Sequence, residues 1–107
     1  ARPARVETPA ARLLTGNPFY STNGSQIVTV IEFNHGRTTG ETVRFRNCNG
    51  GSGFTQANLE NSLGYTITVP AGETDSYTFN IASGPSTQTN VRFGGMICTS
   101  GPVTIEG

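Results

Sequence analysis

SQIVTVIEFNHGRTTGETVRFRN, residues 25–47, decides the fold class. In its first half Val28, Val30 and Glu32 fall on one face of an extended chain, and Ile27, Thr29, Ile31 and Phe33 fall on the other. In its last part Val43 and Phe45 alternate with Thr42, Arg44 and Arg46. A period of two is the signature of a β-strand with one buried face. Between the two runs, His35-Gly36-Arg37-Thr38-Thr39-Gly40-Glu41 must reverse the chain. Gly36 and Gly40 supply the positive-φ positions that a compact reversal needs, and the threonines can hydrogen-bond nearby backbone.

The same period recurs outward from this stretch. In GYTITVPAGETDSYTFNI, residues 64–81, Tyr65, Ile67 and Val69 alternate, Pro70-Ala71-Gly72-Glu73 turns, and Tyr77, Phe79 and Ile81 return. That pattern reads as a β-hairpin. NVRFGGMICTSGPVTIEG, residues 90–107, reads as two more short strands, with Gly94-Gly95 as a bulge or sharp bend. About six strands of this length are too few for a two-layer sandwich. The expectation is an all-β fold, a small, closed or nearly closed antiparallel barrel, because closure removes exposed strand edges.

Two segments fall outside the alternation. GGSGFTQANLENS, residues 50–62, is a long connection that can carry one helical turn capped by Thr55, with Phe54 and Leu59 anchoring it. Residues 1–24 form an extended N-terminal arm before a barrel domain at 25–107. Within the arm, Thr8-Pro9 and Gly16 bracket a helix of about two turns. A helix this short needs support from packing, so Leu13 and Leu14 are expected to dock on a neighbouring subunit. Arg2, Arg5 and Arg12 concentrate positive charge in the same arm, making these five residues the expected subunit contacts.

Composition narrows the chemistry. One domain of 107 residues has little room for a deep cleft. Seven cations, all arginine, balance seven acidic groups, so net charge draws the chain toward neither nucleic acid nor a membrane surface. No apolar run is long enough to span a membrane, and ARPARVETPA lacks the apolar stretch of a signal peptide. Cys48 and Cys98 fit one disulfide or two buried thiols. With one His and no CxxC, zinc is not expected, and the chain start at Ala1 suits a cytosolic product, which slightly favours free thiols.

His35 is the sole histidine. Catalysis there would need a nucleophile or a metal partner, and only threonines and Glu41 lie nearby in sequence. A neutral imidazole both donates and accepts, which suits pinning the turn to the barrel end. Glu32, Glu41, Glu60, Glu73 and Asp75 are scattered over strands and turns and form no recognisable catalytic pair. No catalytic residue, cofactor or metal site is expected.

The run TGNPFYSTNGSQIVTVIEFNHGRTTGETVRFRN, with the aromatic hairpin and the Gly-Gly strand after it, resembles modules in virion proteins of tailed bacteriophages and gene-transfer agents. In those modules an apolar strand leads to His-Gly-x-x-x-Gly-(Asp/Glu)-x-Val, matched here at His35, Gly36, Gly40, Glu41 and Val43. The resemblance spans about residues 15 to 95. The module is also similar to the small barrel called the first catalytic cysteine half-domain in ubiquitin-activating enzymes, a name that assigns no nucleophilic role to Cys48 or Cys98. The stretched 50–62 loop, the cysteines and the final VTIEG depart from the pattern.

The resemblance implies a non-enzymatic structural protein of a tailed-phage-like virion, made in the host cytoplasm and assembled into the particle. Capsid decoration is the expected role; a tail or head-to-tail connector, or a receptor- or carbohydrate-binding module of a fibre or spike, is the alternative. Expected partners are major capsid or tail subunits and further copies of itself, with carbohydrate under the fibre alternative and with neither nucleic acid nor membrane.

Overall fold

The computed structural model describes residues 12–101. Its strands are β1 (Arg12–Leu13), β2 (Phe19–Ser21), β3 (Ile27–Ile31), β4 (Thr42–Arg46), β5 (Tyr65–Thr68), β6 (Ser76–Asn80) and β7 (Thr99–Gly101), with one helical turn, α1 (Gln56–Leu59). They form one antiparallel sheet in the order β1-β7-β4-β5-β6-β3-β2, curled into an open half-barrel. The all-β, antiparallel expectation holds, while the closed or nearly closed barrel of about six strands is corrected to an open half-barrel with seven strands among the described residues. Two of the seven come from the arm rather than from the last third of the chain.

The edges explain why closure is dispensable. β1 and β2 are only two and three residues long, and such short edges offer little backbone for pairing with another chain. They are also parts of one continuous stretch. Leu14 N–H donates to Cys98 O at 2.8 Å, Asn17 N–H to Gly95 O at 2.9 Å, and Phe19 and Phe93 exchange both backbone bonds at 2.9 and 3.0 Å. Residues 12–19 therefore run antiparallel along 93–100. The helix expected over 8–16 lies partly outside the described residues, and its described part is extended. The reason is tertiary: β7 and the chain before it offer backbone partners over the whole stretch, while a two-turn helix would leave most of its terminal groups unpaired.

The core follows the alternation. Val28, Val30, Val43, Phe45, Tyr65, Ile67, Tyr77, Phe79 and Ile81 are buried, whereas Ile27 and Phe33 on the opposite face of β3 are exposed. Phe19, Phe45 and Phe79 form its aromatic centre, with Phe19 edge-on to Phe45 at 5.1 Å and Tyr65 stacked on Phe79 at 4.5 Å. Phe54 and Leu59 are buried as anchors, and Thr55 caps α1 in a reciprocal capping box with Asn58.

Cys48 and Cys98 are joined in a disulfide inside this core, 50 residues apart in sequence. Of the two states that the sequence leaves open, the disulfide forms, against the slight lean to free thiols: β4 pairs with β7 in a register that places Arg46 opposite Thr99 and so brings the residues just beyond each strand end together. That pairing joins strands far apart in the chain, and neither cysteine's local sequence announces it.

Candidate functional site

The concentration of buried polar chemistry lies at the 33–41 turn, and β3 causes it. Its inward alternation runs Val28, Val30 and then Glu32, one residue past the strand end, so the carboxylate follows the valines into the core and is only 5% exposed. A buried carboxylate without partners costs several kcal/mol, so donors must converge on it. Three hydrogen-bond donors and one further guanidinium do, from four segments. The Tyr77 hydroxyl of β6 donates to Oε1 at 2.5 Å, Ser100 Oγ of β7 donates at 2.8 Å, and Arg37 Nε of the turn at 3.3 Å. Arg12 Nη2 of β1 lies 2.7 Å from Oε2. That last contact is an ion pair without hydrogen-bond alignment, since Nη2 directs its hydrogen bond to His35 O at 2.6 Å.

The turn is built around the same charges. His35 is buried; its backbone N–H donates to Thr74 O at 3.0 Å and its ring packs T-shaped with that of Tyr77, the centroids 5.3 Å apart. Arg37 N–H donates to His35 Nδ1 at 2.9 Å, so Nε2 carries the ring hydrogen and donates to Ser76 O at 3.0 Å. This fixes one neutral tautomer. Arg37 also donates to Ser100 Oγ at 3.1 Å and reaches Glu41 Oε1 at 3.5 Å, while Glu41 Oε2 accepts from Thr38 N–H at 2.7 Å. Gly36 at φ 63° and Gly40 at φ 99° make the reversal possible.

The electrostatics match the geometry. Burial alone would lower the Arg37 pKa, but the Glu32 carboxylate, with Tyr77 and Glu41, outweighs it and raises it. Burial first, and the neighbouring Glu32 charge second, push the Tyr77 phenol far above its usual range. A phenol held protonated is the wrong state for a nucleophile or base. Glu32 Oε1 is surrounded by three donors, and Arg12 lies beside Oε2. The arrangement ties β1, β3, β6, β7 and the turn together through one carboxylate. Among the described residues no three His, Cys, Asp or Glu gather as a metal-binding group.

The residues singled out from sequence are distributed as follows. His35, Gly36, Gly40 and Glu41 form the turn, and Val43 is fully buried in β4. Arg2 and Arg5 lie outside the described residues. Of the remaining expected subunit contacts, Arg12 reaches the protein's own Glu32, Leu14 is buried in its own core, and Leu13 is 68% exposed. Sequence reasoning passed over Glu32, Tyr77 and Ser100 as partners. The available signal was parity: Glu32 shares the inward face of Val28 and Val30, and an acid in that position demands buried donors.

No family model matches the chain, and no curated protein matches it. Among solved structures, phage phi92 endosialidase is similar with a TM-score of 0.62 and 22% sequence identity. The match covers 87% of this chain and 12% of that one, so the chain corresponds to a small part of the larger protein. At this identity the likeness is one of fold. It joins the chain to a fold present in a phage protein, and it lends no support to the similarity with the half-domain of ubiquitin-activating enzymes.

Proposed function

We propose that the chain is a non-enzymatic structural module of a tailed-phage-like virion, on the tail side of the particle. The observation that carries this is the fold match: nearly the whole chain corresponds to a small fraction of a phage endosialidase, the relation expected of a building block reused within larger phage proteins. The Glu32 network supports a structural role, because its charges are spent on one another and its phenol is held neutral. Capsid decoration, expected from the sequence resemblance, is the second reading.

Immunogold labelling of particles from the strain that encodes the chain tests the proposal. Gold at the tail supports it, gold over the shell moves the module to capsid decoration, and particles without gold overturn the virion role. Incubating the purified chain with polysialic acid tests the non-enzymatic part. Release of shorter saccharides above a heat-denatured control would overturn it.

A further inference from the structure

We propose that Tyr20, Asn90 and Arg92 form a binding site for an acidic saccharide. They line an open depression of about 400 Å³, on the scale of small-ligand clefts, roughly 300–1,000 Å³. The fold places them together. In β2, Phe19 and Ser21 point inward, leaving Tyr20 half-buried on the outer face. Residues 90–93 lie alongside, fixed by Asn90 N–H to Ser21 O at 2.8 Å and by the Phe19–Phe93 backbone pair.

Arg92 is preset. Its Nε donates to Asn17 O at 2.6 Å and its Nη2 to Gly16 O at 3.1 Å, so two backbone carbonyls hold the guanidinium while other N–H donors stay free. Among the described residues Arg12 and Arg37 are paired with carboxylates, whereas Arg92 has no acidic partner. Among the described residues the Tyr20 hydroxyl and the Asn90 side-chain amide likewise have no hydrogen-bond partner. A fixed cation matches a carboxylate, a half-exposed aromatic ring matches the C–H face of a pyranose, and an amide both donates to and accepts from sugar hydroxyls. A neutral sugar leaves the cation unused, and a bare anion leaves the ring unused. A sugar acid engages all three.

The site stands apart from the virion proposal, and neither depends on the other. A depression this open implies weak binding, with a Kd on the order of 1 mM. The test is titration of the isotope-labelled chain with cellobiouronic acid, cellobiose and sodium acetate, followed by amide NMR shifts. Saturable shifts centred on residues 20, 90 and 92 with the acidic disaccharide, at least about 10-fold weaker with cellobiose and with acetate, are expected. Tyr20→Thr keeps the Arg92 anchor and should weaken binding about 10-fold; Arg92→Gln should abolish it, with thermal unfolding confirming that both variants fold. Equal affinity for acetate, shifts centred elsewhere, no saturable shift at 20-fold the expected Kd, or unchanged binding in folded Tyr20→Thr would each overturn the site.

Discussion

The Tyr77 hydroxyl and Glu32 Oε1 are 2.5 Å apart although 45 residues separate them in sequence. The pair is inward on two neighbouring strands: β3 and β6 align Val30 with Tyr77, which places the phenol within reach of the acid at the strand end. Arg37, Ser100 and Arg12 complete the lock from three other segments.

Glu32→Gln should destabilise the protein by about 3 kcal/mol, because two arginines and two hydroxyls lose the charge they converge on. Glu41→Gln, at a carboxylate 38% exposed, should cost about 1 kcal/mol or less. Urea unfolding measures both: the midpoint falls with an unchanged slope, and much further for Glu32. Equal losses would show that the buried lock is energetically ordinary.

Alkaline pH should release the same lock. The Tyr77 phenol is raised in the fold by burial and by Glu32, from an ordinary value of 10.0. The unfolded chain therefore ionises first. Stability from this group is whole below about pH 10 and declines as pH rises above it, toward the folded value. Tyr77→Phe should cost about 1–2 kcal/mol at pH 7 and flatten the decline between pH 9 and pH 11. A residual slope is expected from Tyr65, also raised by burial. An alkaline decline as steep as in the parent protein would rule out Tyr77 as its source.

Replacing Cys48 and Cys98 together by Ser should cost about 4 kcal/mol, the closure entropy of a loop of this length. The cysteines span 50 residues and sit in the same core as Phe93 and Leu14. Chemical denaturation with and without reductant provides the check: the parent should lose most of this stability on reduction, and the double variant should not respond.

Two glycines separate conformational cost from steric cost. Gly40, at φ 99°, has open space where a Cβ would stand, with no atom within 4 Å, so Gly40→Ala should cost about 1 kcal/mol from backbone strain alone. Gly94, at φ 118°, would place a Cβ 2.8 Å from Phe19 Cδ2 and Pro18 Cδ. Gly94→Ala should therefore cost at least about 2 kcal/mol more, since it also overpacks the aromatic centre. A melting-temperature series ranks them, and equal shifts would refute the close packing of the 12–19 stretch on 93–100.

Local pattern determined a great deal in this protein. Period-two alternation placed the inward residues of β4, β5 and β6, and glycine spacing placed the 33–41 reversal. A threonine before a short polar run placed the α1 cap. These features depend on neighbours a few residues away, where side-chain parity and backbone sterics act. The alternation of β3 also put Glu32 on the valine face, without saying what would meet it there.

Tertiary structure decided the rest, because each remaining feature joins distant segments. The extended form of Arg12–Leu13, the Cys48–Cys98 bond and the arrival of Arg12 and Ser100 at Glu32 follow from β7 pairing with β1 on one side and β4 on the other, while Tyr77 reaches the acid through the pairing of β3 with β6. A strand of three residues has almost no sequence signal of its own. Its partners supply the hydrogen bonds, and it in turn brings Ser100 to the acid and Cys98 to its partner. The site at Tyr20, Asn90 and Arg92 has the same origin: two stretches about 70 residues apart acquire a shared surface only when backbone pairing lays one beside the other.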